Sequence, residues 1–155
     1  MAAGLVEKAG KLSVSHWIGA AGVHKRARAL RRRATELVED DAQAYLAFVE
    51  ASRASKGPHS ELRRRVVGPE LARTVEVPLA VVRSAAETVA LAADLVVHGN
   101  PVLRSDAIVA AHLAAAAAQA GAVTIAANLA AASRDARLAE ARRLARAARV
   151  RVRSL

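Results

Sequence analysis

One stretch of this sequence limits what the chain can fold into. From Ala107 to Ala132 there is no Asp, Glu, Lys or Arg, and five alanines follow one another within it. Such a composition favours helix, and a helix without a charged face must be surrounded by other elements. Ser105 is placed to act as the N-cap and Asp106 to favour the positive helix end. We therefore predict a central, enclosed helix from Ser105 to Leu129.

The same stretch is long enough to cross a bilayer. It is mostly alanine and contains His112, Gln119, Thr124 and Asn128, so its transfer into lipid would be weak. We favour a buried helix and expect no membrane partner. The amino end carries Glu7 and Lys8 and has no apolar core of a secretory signal, which predicts a cytoplasmic protein.

The composition predicts an all-α fold. The 155 residues include 41 alanines but one Trp, one Tyr and one Phe, which disfavours strands and favours closely packed helices. The length favours one domain, residues 1–155, and the absence of Cys excludes a disulfide framework or a zinc ribbon. We expect a bundle of about five helices, two of them long.

The helices are delimited by Gly, Pro and apolar spacing. A short helix is predicted over Ala2–Ser15, and a long one over Val23–Ser55, ended by Lys56-Gly57-Pro58. A turn of helix over Glu61–Val67 then precedes a helix from Pro69 to His98, kinked at Pro78. Gly99-Asn100-Pro101 ends it, and the last helix runs from a cap at Ser133 to Arg153 with a narrow apolar stripe.

The long second helix has an apolar seam that contains an aspartate. The seam steps by four and three through Val23, Ala27, Leu30, Ala34, Leu37, Asp41, Ala44, Phe48 and Ala51. A carboxylate in such a seam needs a partner, a proton or a cavity. In the structural interpretation, Asp41 bonds a neighbouring helix, or the seam rotates onto Val38 and Tyr45 and leaves Asp41 at its edge. In the functional interpretation, Asp41 is an acid/base group, with Tyr45 one turn further along the same face.

Three blocks of the sequence together resemble a known family. The segment Leu37-Val38-Glu39-Asp40-Asp41-Ala42-Gln43-Ala44-Tyr45 is similar to the D-A-x-A-F/Y helix of the formiminotransferase-cyclodeaminase C-terminal domain and its methenyltetrahydrofolate cyclohydrolase relatives. Val77-Pro78-Leu79 is the second block. The third is Gly99-Asn100 with Ser105-Asp106, similar to G-N-x-x-x-x-S-D, followed by a small-residue helix ending in Asn128-Leu129.

The resemblance implies a helical protomer that dimerises and binds reduced folate in a cleft. The reaction would be loss of ammonia from 5-formiminotetrahydrofolate with ring closure, or hydration of the 5,10-methenyl form, and no cofactor is implied. Asp41 falls on the family's acid/base aspartate. Tyr45, Asn100, Ser105, Asp106 and Asn128 are the predicted substrate-binding residues. The alternative is a catalytically impaired member that acts as a helical binding or scaffold dimer.

The sequence departs from the family pattern in two places. Members begin with a Gly-Gly-Gly-Ser-like stretch, whereas this chain starts at Met1-Ala2-Ala3-Gly4, so we expect that part of a folate site to be lacking. Thr124 stands where the family has an earlier Asn, and it lacks the amide.

Other polar residues have structural interpretations beside functional ones. Asn100, Ser105 and Asp106 suit a turn and a helix cap, and Asn128 suits a bond between helices. The five histidines, His16, His24, His59, His98 and His112, show no ligand spacing, so we predict no metal site.

The net charge of +10 comes from 20 Arg and 4 Lys, and it predicts a preference for acidic partners. Basic clusters lie at Lys25–Arg33, at Arg63–Arg65 and in the last helix. Aromatic residues for stacking are nearly absent and no recognition motif is present, so we expect a solvated basic face and no nucleic acid. The positive field would suit the polyanionic glutamate tails of folates.

Overall fold

The computed structural model describes residues 1–54, 60–129 and 134–155, and for residues 60–64 and 66 the backbone alone. Five α-helices and one 3₁₀ turn make up these ranges, and no strand occurs in them, which confirms the all-α class. The helices are α1 (Ala2–Lys11), α2 (Ala20–Ala54), α3 (Ser60–His98), α4 (Arg104–Leu129) and α5 (Ala136–Arg153), with the 3₁₀ turn at Pro101–Leu103.

Helix α3 is the centre of the bundle. It packs against α2, α4 and α5, and α1 packs against both α2 and α4 and occupies the space between them. The fully buried side chains include Val6 of α1, Leu79 and Val82 of α3 and Ile125 of α4. Successive long helices run antiparallel, so the bundle has two ends. We call them the Asn100 end, where α3 leads into α4, and the Asn128 end, where α4 finishes.

Helix α3 is longer than predicted. It runs without interruption from Ser60 through Gly68-Pro69 to His98, so the expected separate turn over Glu61–Val67 is wrong. Packing along α3 overrides the local breaking signal of these residues. The predicted connection at Lys56-Gly57-Pro58 lies outside the described residues.

Helix α5 starts at Ala136 with Asp135 as its N-cap, whose carboxylate accepts a bond of 2.8 Å from the backbone N–H of Arg137. The predicted cap Ser133 is outside the described residues. The expected apolar stripe is confirmed, because Leu138, Ala141, Ala145 and Ala148 are buried.

Helix α4 is enclosed on one face only. Its alanines at 107, 110, 111, 114, 115 and 118 are buried, but Val109 is 50% exposed and Val123 is 69% exposed. The span Pro101–Leu129 has the length and hydropathy of a membrane-crossing helix, and 39% of its most apolar window is buried. The prediction that every face is surrounded is therefore wrong for the single chain, because α3, α5 and α1 cover about half of the helix surface.

Candidate functional site

The face of α2 that carries Asp41 is covered at one end of the helix and bare at the other. Val23 and Ala27 on this face are buried, whereas Ala34 and Asp41, at the same face further along, are exposed. Helix α1 makes the difference. It runs antiparallel to α2, with Gly10 against His24 and Gly4 beside Arg31, and so covers α2 only as far as Arg31.

Contacts between α1 and α2 fix this arrangement. Arg31 Nε donates to Glu7 Oε2 at 2.5 Å, and His24 Nδ1 lies 3.0 Å from the carbonyl oxygen of Glu7. The bond from Arg31 lowers the pKa of the Glu7 carboxyl below its usual value. Gly10 favours this approach, because a Cβ at position 10 would lie only 3.0 Å from the backbone nitrogen of His24. The close approach aligns α1 along the α2 seam.

Asp41 is therefore not a buried seam residue. Leu37 and Ala44 remain buried against α3, while Asp41 points to solvent. The alternative in which the seam rotates onto Val38 and Tyr45 is also wrong, since these side chains are 73% and 62% exposed. Asp41 and Tyr45 lie one turn apart on the face of α2 that α1 leaves uncovered.

Helix α4 forms the opposite side of the same space. Lys8 of α1 bonds Asp106 at 2.9 Å, which identifies the flank of α4 that faces α1. At about 100° per residue, the positions 11, 18 and 22 residues further, Ala117, Thr124 and Asn128, lie on that flank. We call the space between α2 and α4 beyond the start of α1 the open cleft. Asp41 and Tyr45 border it on α2, and Thr124 and Asn128 on α4.

Asn128 has a defined structural bond at this cleft. Pro78 has no N–H, so the carbonyl of Thr74, four residues earlier, lacks its helical donor. The Asn128 amide Nδ2 donates to that carbonyl at 2.7 Å. The amide of α4 thus replaces the hydrogen bond that the α3 proline removes, which is the helix-to-helix interpretation of Asn128. Its Oδ1 has no partner among the described residues.

Asn100 is engaged in a turn at the other end of the bundle. Its Oδ1 accepts from the Val102 N–H at 3.0 Å, and its backbone N–H donates to the buried Ser13 hydroxyl at 2.9 Å. Its Nδ2 lies 3.4 Å from the carbonyl of Leu12. These bonds join the end of α3 to the end of α1, as the structural interpretation of the Gly-Asn-Pro turn requires.

Ser105 and Asp106 begin α4 differently from the prediction. The 3₁₀ turn leads directly into the helix at Arg104, so Ser105 lies inside the first turn, is exposed and is not the N-cap. Asp106 does lie in the first turn, and it pairs with Lys8. Both residues are at the Asn100 end.

The predicted site residues therefore form two groups within one chain. Asp41, Tyr45 and Asn128 border the open cleft, whereas Asn100, Ser105 and Asp106 lie at the far end. Ser105 and Asn128 are 23 residues apart along α4, a rise of about 35 Å. A single small molecule cannot contact both groups of one chain.

One polar residue of the cleft is absent from the predicted set. Glu70 of α3 has a carboxylate oxygen, Oε2, that is shielded from solvent and has no hydrogen-bond partner among the described residues. A sequence signal for it exists, because Glu70 begins a mostly apolar line of one helix face. Its further members, at spacings of seven and four, are Val77, Val81, Thr88 and Leu95. Because the start of this helix is predicted at Pro69, Glu70 falls in its first turn and is not considered as part of a helix face.

Two concavities lie on the opposite side of α3. One is between α2 and α3 and has a volume of about 360 Å³, and the other is between α3 and α5 and has a volume of about 600 Å³. They share Arg83 and Glu87 and contain none of the predicted site residues. Arg83 Nε and Nη2 each donate to a carboxylate oxygen of Glu140 of α5 at 2.7 Å, and these bonds lower the pKa of the Glu140 carboxyl. Glu87 pairs with Arg26 of α2. The charged side chains of Arg83 and Glu87 are therefore used in ion pairs between helices.

The described part of the chain contains no group of three or more His, Asp or Glu side chains suited to hold a metal ion. His59 lies outside it.

Comparisons with known proteins agree with this fold. Residues 1–147 match the formiminotransferase-cyclodeaminase family. Among solved structures, the chain is similar to formiminotetrahydrofolate cyclodeaminase from Thermotoga maritima, with a TM-score of 0.82 and 21% identity over 99% of this chain and 80% of that one. No curated protein is significantly similar in sequence. The resemblance in the three sequence blocks is thus confirmed, and the chain belongs to the formiminotransferase-cyclodeaminase family.

Proposed function

We propose that this protein is a folate one-carbon enzyme that uses Asp41 as its general acid/base. Its substrate is 5-formiminotetrahydrofolate, as for the cyclodeaminase of similar fold, or 5,10-methenyltetrahydrofolate. The observation that carries the proposal is the position of Asp41. In a chain that matches the family over residues 1–147, this carboxylate stands on the uncovered face of α2 at the open cleft.

A single carboxylate at this position is sufficient for either reaction. In the cyclodeaminase reaction, N10 attacks the carbon of the protonated formimino group, which leaves an NH2 group on that carbon, and the Asp41 carboxylate accepts the proton that N10 loses. Asp41 then returns the proton to the leaving nitrogen, the C–N bond breaks, and ammonia departs. In the cyclohydrolase reaction, water adds to the carbon between N5 and N10, and Asp41 accepts one of its protons and delivers it to N5 as the N5–C bond breaks. The remaining hydroxyl proton is released to solvent as the formyl C=O forms.

The uncovered face of α4 favours a dimer as the active species. Val109, Leu113 and Val123 are exposed on this face, and no charged residue interrupts it between Ala107 and Leu129. Contiguous exposed apolar surface of this kind is typical of an interface. If two copies pack antiparallel about the middle of α4, Ser105 of one copy lies beside Asn128 of the other, because these positions are symmetric in the helix. The dimer then joins the two groups of predicted binding residues.

The arginine surface supports a preference for polyglutamylated folate. Arg142, Arg146, Arg149 and Arg153 follow one another at spacings of four, three and four on α5. All four are exposed, and none bonds another described residue. Such a row attracts a chain of carboxylates through its field.

The alternative function, a non-catalytic helical dimer, has its own supporting observation. Thr124 occupies the position of the family's earlier Asn, and its hydroxyl donates to the Ala120 carbonyl of its own helix at 3.2 Å. An amide that could reach into the cleft is missing there.

The Asp41→Asn variant distinguishes these functions. We expect it to slow loss of the 5,10-methenyl absorbance, or ammonia release from the formimino substrate, by about 10²- to 10⁴-fold. Because Asp41 is exposed, unfolding in urea should change by less than about 0.5 kcal/mol.

Asp40→Asn is the matched control, since Asp40 precedes Asp41 and pairs with Arg33 on a different side of α2. It should keep near wild-type turnover. Wild-type protein that turns over neither substrate would support the scaffold function, and full activity of Asp41→Asn would remove Asp41 from the mechanism.

A further inference from the structure

The buried oxygen of Glu70 is the feature of the open cleft that the proposed chemistry does not use. Oε2 is shielded from water and accepts no hydrogen bond from any described residue. Among the described side chains, the cation nearest to it is Arg73 Nη1 at 3.6 Å, an ion pair that is too long for a hydrogen bond. Acceptors in such a position are rare in folded proteins, because desolvation without a donor costs free energy.

Helical geometry directs Glu70 towards the cleft. The side of α3 that faces α4 carries Thr74, bonded to Asn128, and Pro78, next to Gly121. The side that faces α2 carries Glu87, bonded to Arg26. Glu70 lies between these two sides of the helix, at about 100° per residue. It therefore points into the space between α2 and α4.

The same line of α3 is closed where α1 is present. Leu95 and Thr88, on the line of Glu70, are buried, whereas Val77 and Glu70 are partly exposed. The exposed fraction of the Glu70 side chain is 28%. The floor of the space thus changes from a covered apolar surface to an accessible one that contains a carboxylate.

Glu70 and Asp41 also lie at the same level of the bundle. Arg26 of α2 pairs with Glu87 of α3, and Arg33 and Ala80 line the same concavity. Because the two helices are antiparallel, the numbers of residues that face each other add to about 113. Asp41 is then opposite residue 72, within about one helical turn of Glu70. One carboxylate borders the cleft on α2, and the other lies at its floor.

We propose that Glu70 binds the pyrimidine edge of the pterin ring, accepting hydrogen bonds from its N3–H and 2-amino groups. These two parallel donors match the two oxygens of a carboxylate as an arginine fork does. For this the carboxylate turns away from Arg73, so that Oε2, which is shielded in the free protein, reaches a ring donor, and the ring is oriented with its N5 side towards Asp41. This inference rests on the proposed folate function and adds the residue that selects the ring.

The test measures binding of 5-formyltetrahydrofolate, a stable reduced folate, by calorimetry to the wild type, Glu70→Gln and Glu70→Ala. A glutamine presents an N–H where the ring also has an N–H, so we expect affinity to fall about 10- to 100-fold for Glu70→Gln. Glu76→Gln is the control, because Glu76 lies on the same helix and pairs with Arg137 of α5. It should bind like the wild type.

A ligand analogue with a methyl group in place of the 2-amino group separates recognition from structural damage. The wild type should bind this analogue at least about tenfold more weakly than the parent, and Glu70→Ala should bind the two alike. In turnover, Glu70→Gln should raise KM with little change in kcat, the reverse of Asp41→Asn.

The outcomes distinguish the inference from the proposed function. If the wild type binds 5-formyltetrahydrofolate and the Glu70 variants bind it equally, Glu70 is only an ion-pair partner of Arg73 and the inference is wrong while the function stands. If Glu70→Ala binds the 2-methyl analogue more weakly than the parent by the same factor as the wild type does, the inference is also wrong. If the wild type binds no reduced folate, the proposed function fails and the inference fails with it.

Discussion

At the scale of single residues, the bond from Asn128 to Thr74 shows how one side chain repairs a backbone defect. Pro78 lacks the N–H that would bond the Thr74 carbonyl within α3. That carbonyl lies beside α4, where water access is limited because Thr74 is buried. An unsatisfied carbonyl there would cost about 1–3 kcal/mol. The amide and the proline are therefore a coupled pair, although 50 residues separate them.

Replacing Asn128 with Ala should lower the free energy of unfolding by about 1–3 kcal/mol, because the Thr74 carbonyl loses its donor. In the Pro78→Ala background a backbone N–H at position 78 can supply that bond, so the same Asn128→Ala change should cost clearly less. Urea unfolding of the four proteins measures the coupling. Additive effects of the two substitutions would show that the two sites act independently.

Asp41 shows the limit of seam reasoning at the same scale. The heptad spacing places it correctly on the face shared with Val23 and Ala27. Spacing could not show that this face is bare at position 41, because cover depends on how far α1 extends along α2. The same holds for Glu70, whose line on α3 is covered only where α1 packs.

At the scale of helices, a glycine allows α3 and α4 to approach closely. A Cβ on Gly121 would lie 2.6 Å from Val82 Cγ2 and 3.3 Å from the Pro78 carbonyl oxygen. Both atoms belong to stiff groups, a β-branched side chain and a proline carbonyl, which cannot move away at small cost. The thin alanines along the rest of α4 extend the same close packing.

Gly121→Ala should therefore destabilise the fold by about 1–3 kcal/mol through overpacking, despite the better helix propensity of Ala. Gly22→Ala is the matched control. Gly22 lies in α2 with nothing near its Cβ position, so that substitution should stabilise by up to about 1 kcal/mol. Thermal and urea unfolding would compare them, and a Gly121→Ala protein as stable as Gly22→Ala would contradict close helix approach.

The start of α5 should give the molecule an acid-sensitive element. Arg137 bonds Asp135 through its side chain and its backbone N–H, and these bonds lower the pKa of the Asp135 carboxyl from 3.8 to about 2. A depressed pKa means that the carboxylate stabilises the folded state above pH 4. This contribution is lost as the pH falls from about 4 to about 2.

Asp135→Ala should accordingly lower Tm at pH 7, and the difference from the wild type should shrink across that pH window. Asp135→Asn keeps an acceptor for the cap without the charge. The difference in Tm between the Asn and Ala variants should stay constant from pH 4 to pH 2. A wild-type advantage that persists unchanged at pH 2 would show that the charge of Asp135 is not involved.

At the scale of the whole molecule, the uncovered face of α4 is the surface that we propose packs against a second copy. An exposed apolar stripe without charge is costly in water, and α4 carries one along its length. The two-fold packing proposed above covers this stripe and joins residues from the two ends of the bundle at each open cleft.

Ala116→Glu places a charge at the middle of that stripe and should convert a wild-type dimer to monomer, since a buried unpaired charge costs several kcal/mol in order of magnitude. Val97→Glu is the control, because Val97 is 70% exposed on α3 and lies outside the stripe. Sedimentation or light scattering would measure the mass. A monomeric wild type, or a dimeric Ala116→Glu, would contradict packing through α4.

The sequence by itself determined the helical class, the long helix α2 and the family, because alanine content, apolar spacing and short motifs are local properties. Only the tertiary structure decided which faces are covered. In the structure, α3 continues without a break through Gly68-Pro69, and Asp41 and about half of the α4 surface are exposed. Asn100 and Asn128 lie at opposite ends of the bundle. Burial of a helix face depends on the length and register of the neighbouring helices, which are non-local properties. The spacing of residues within one helix shows only which of them share a face.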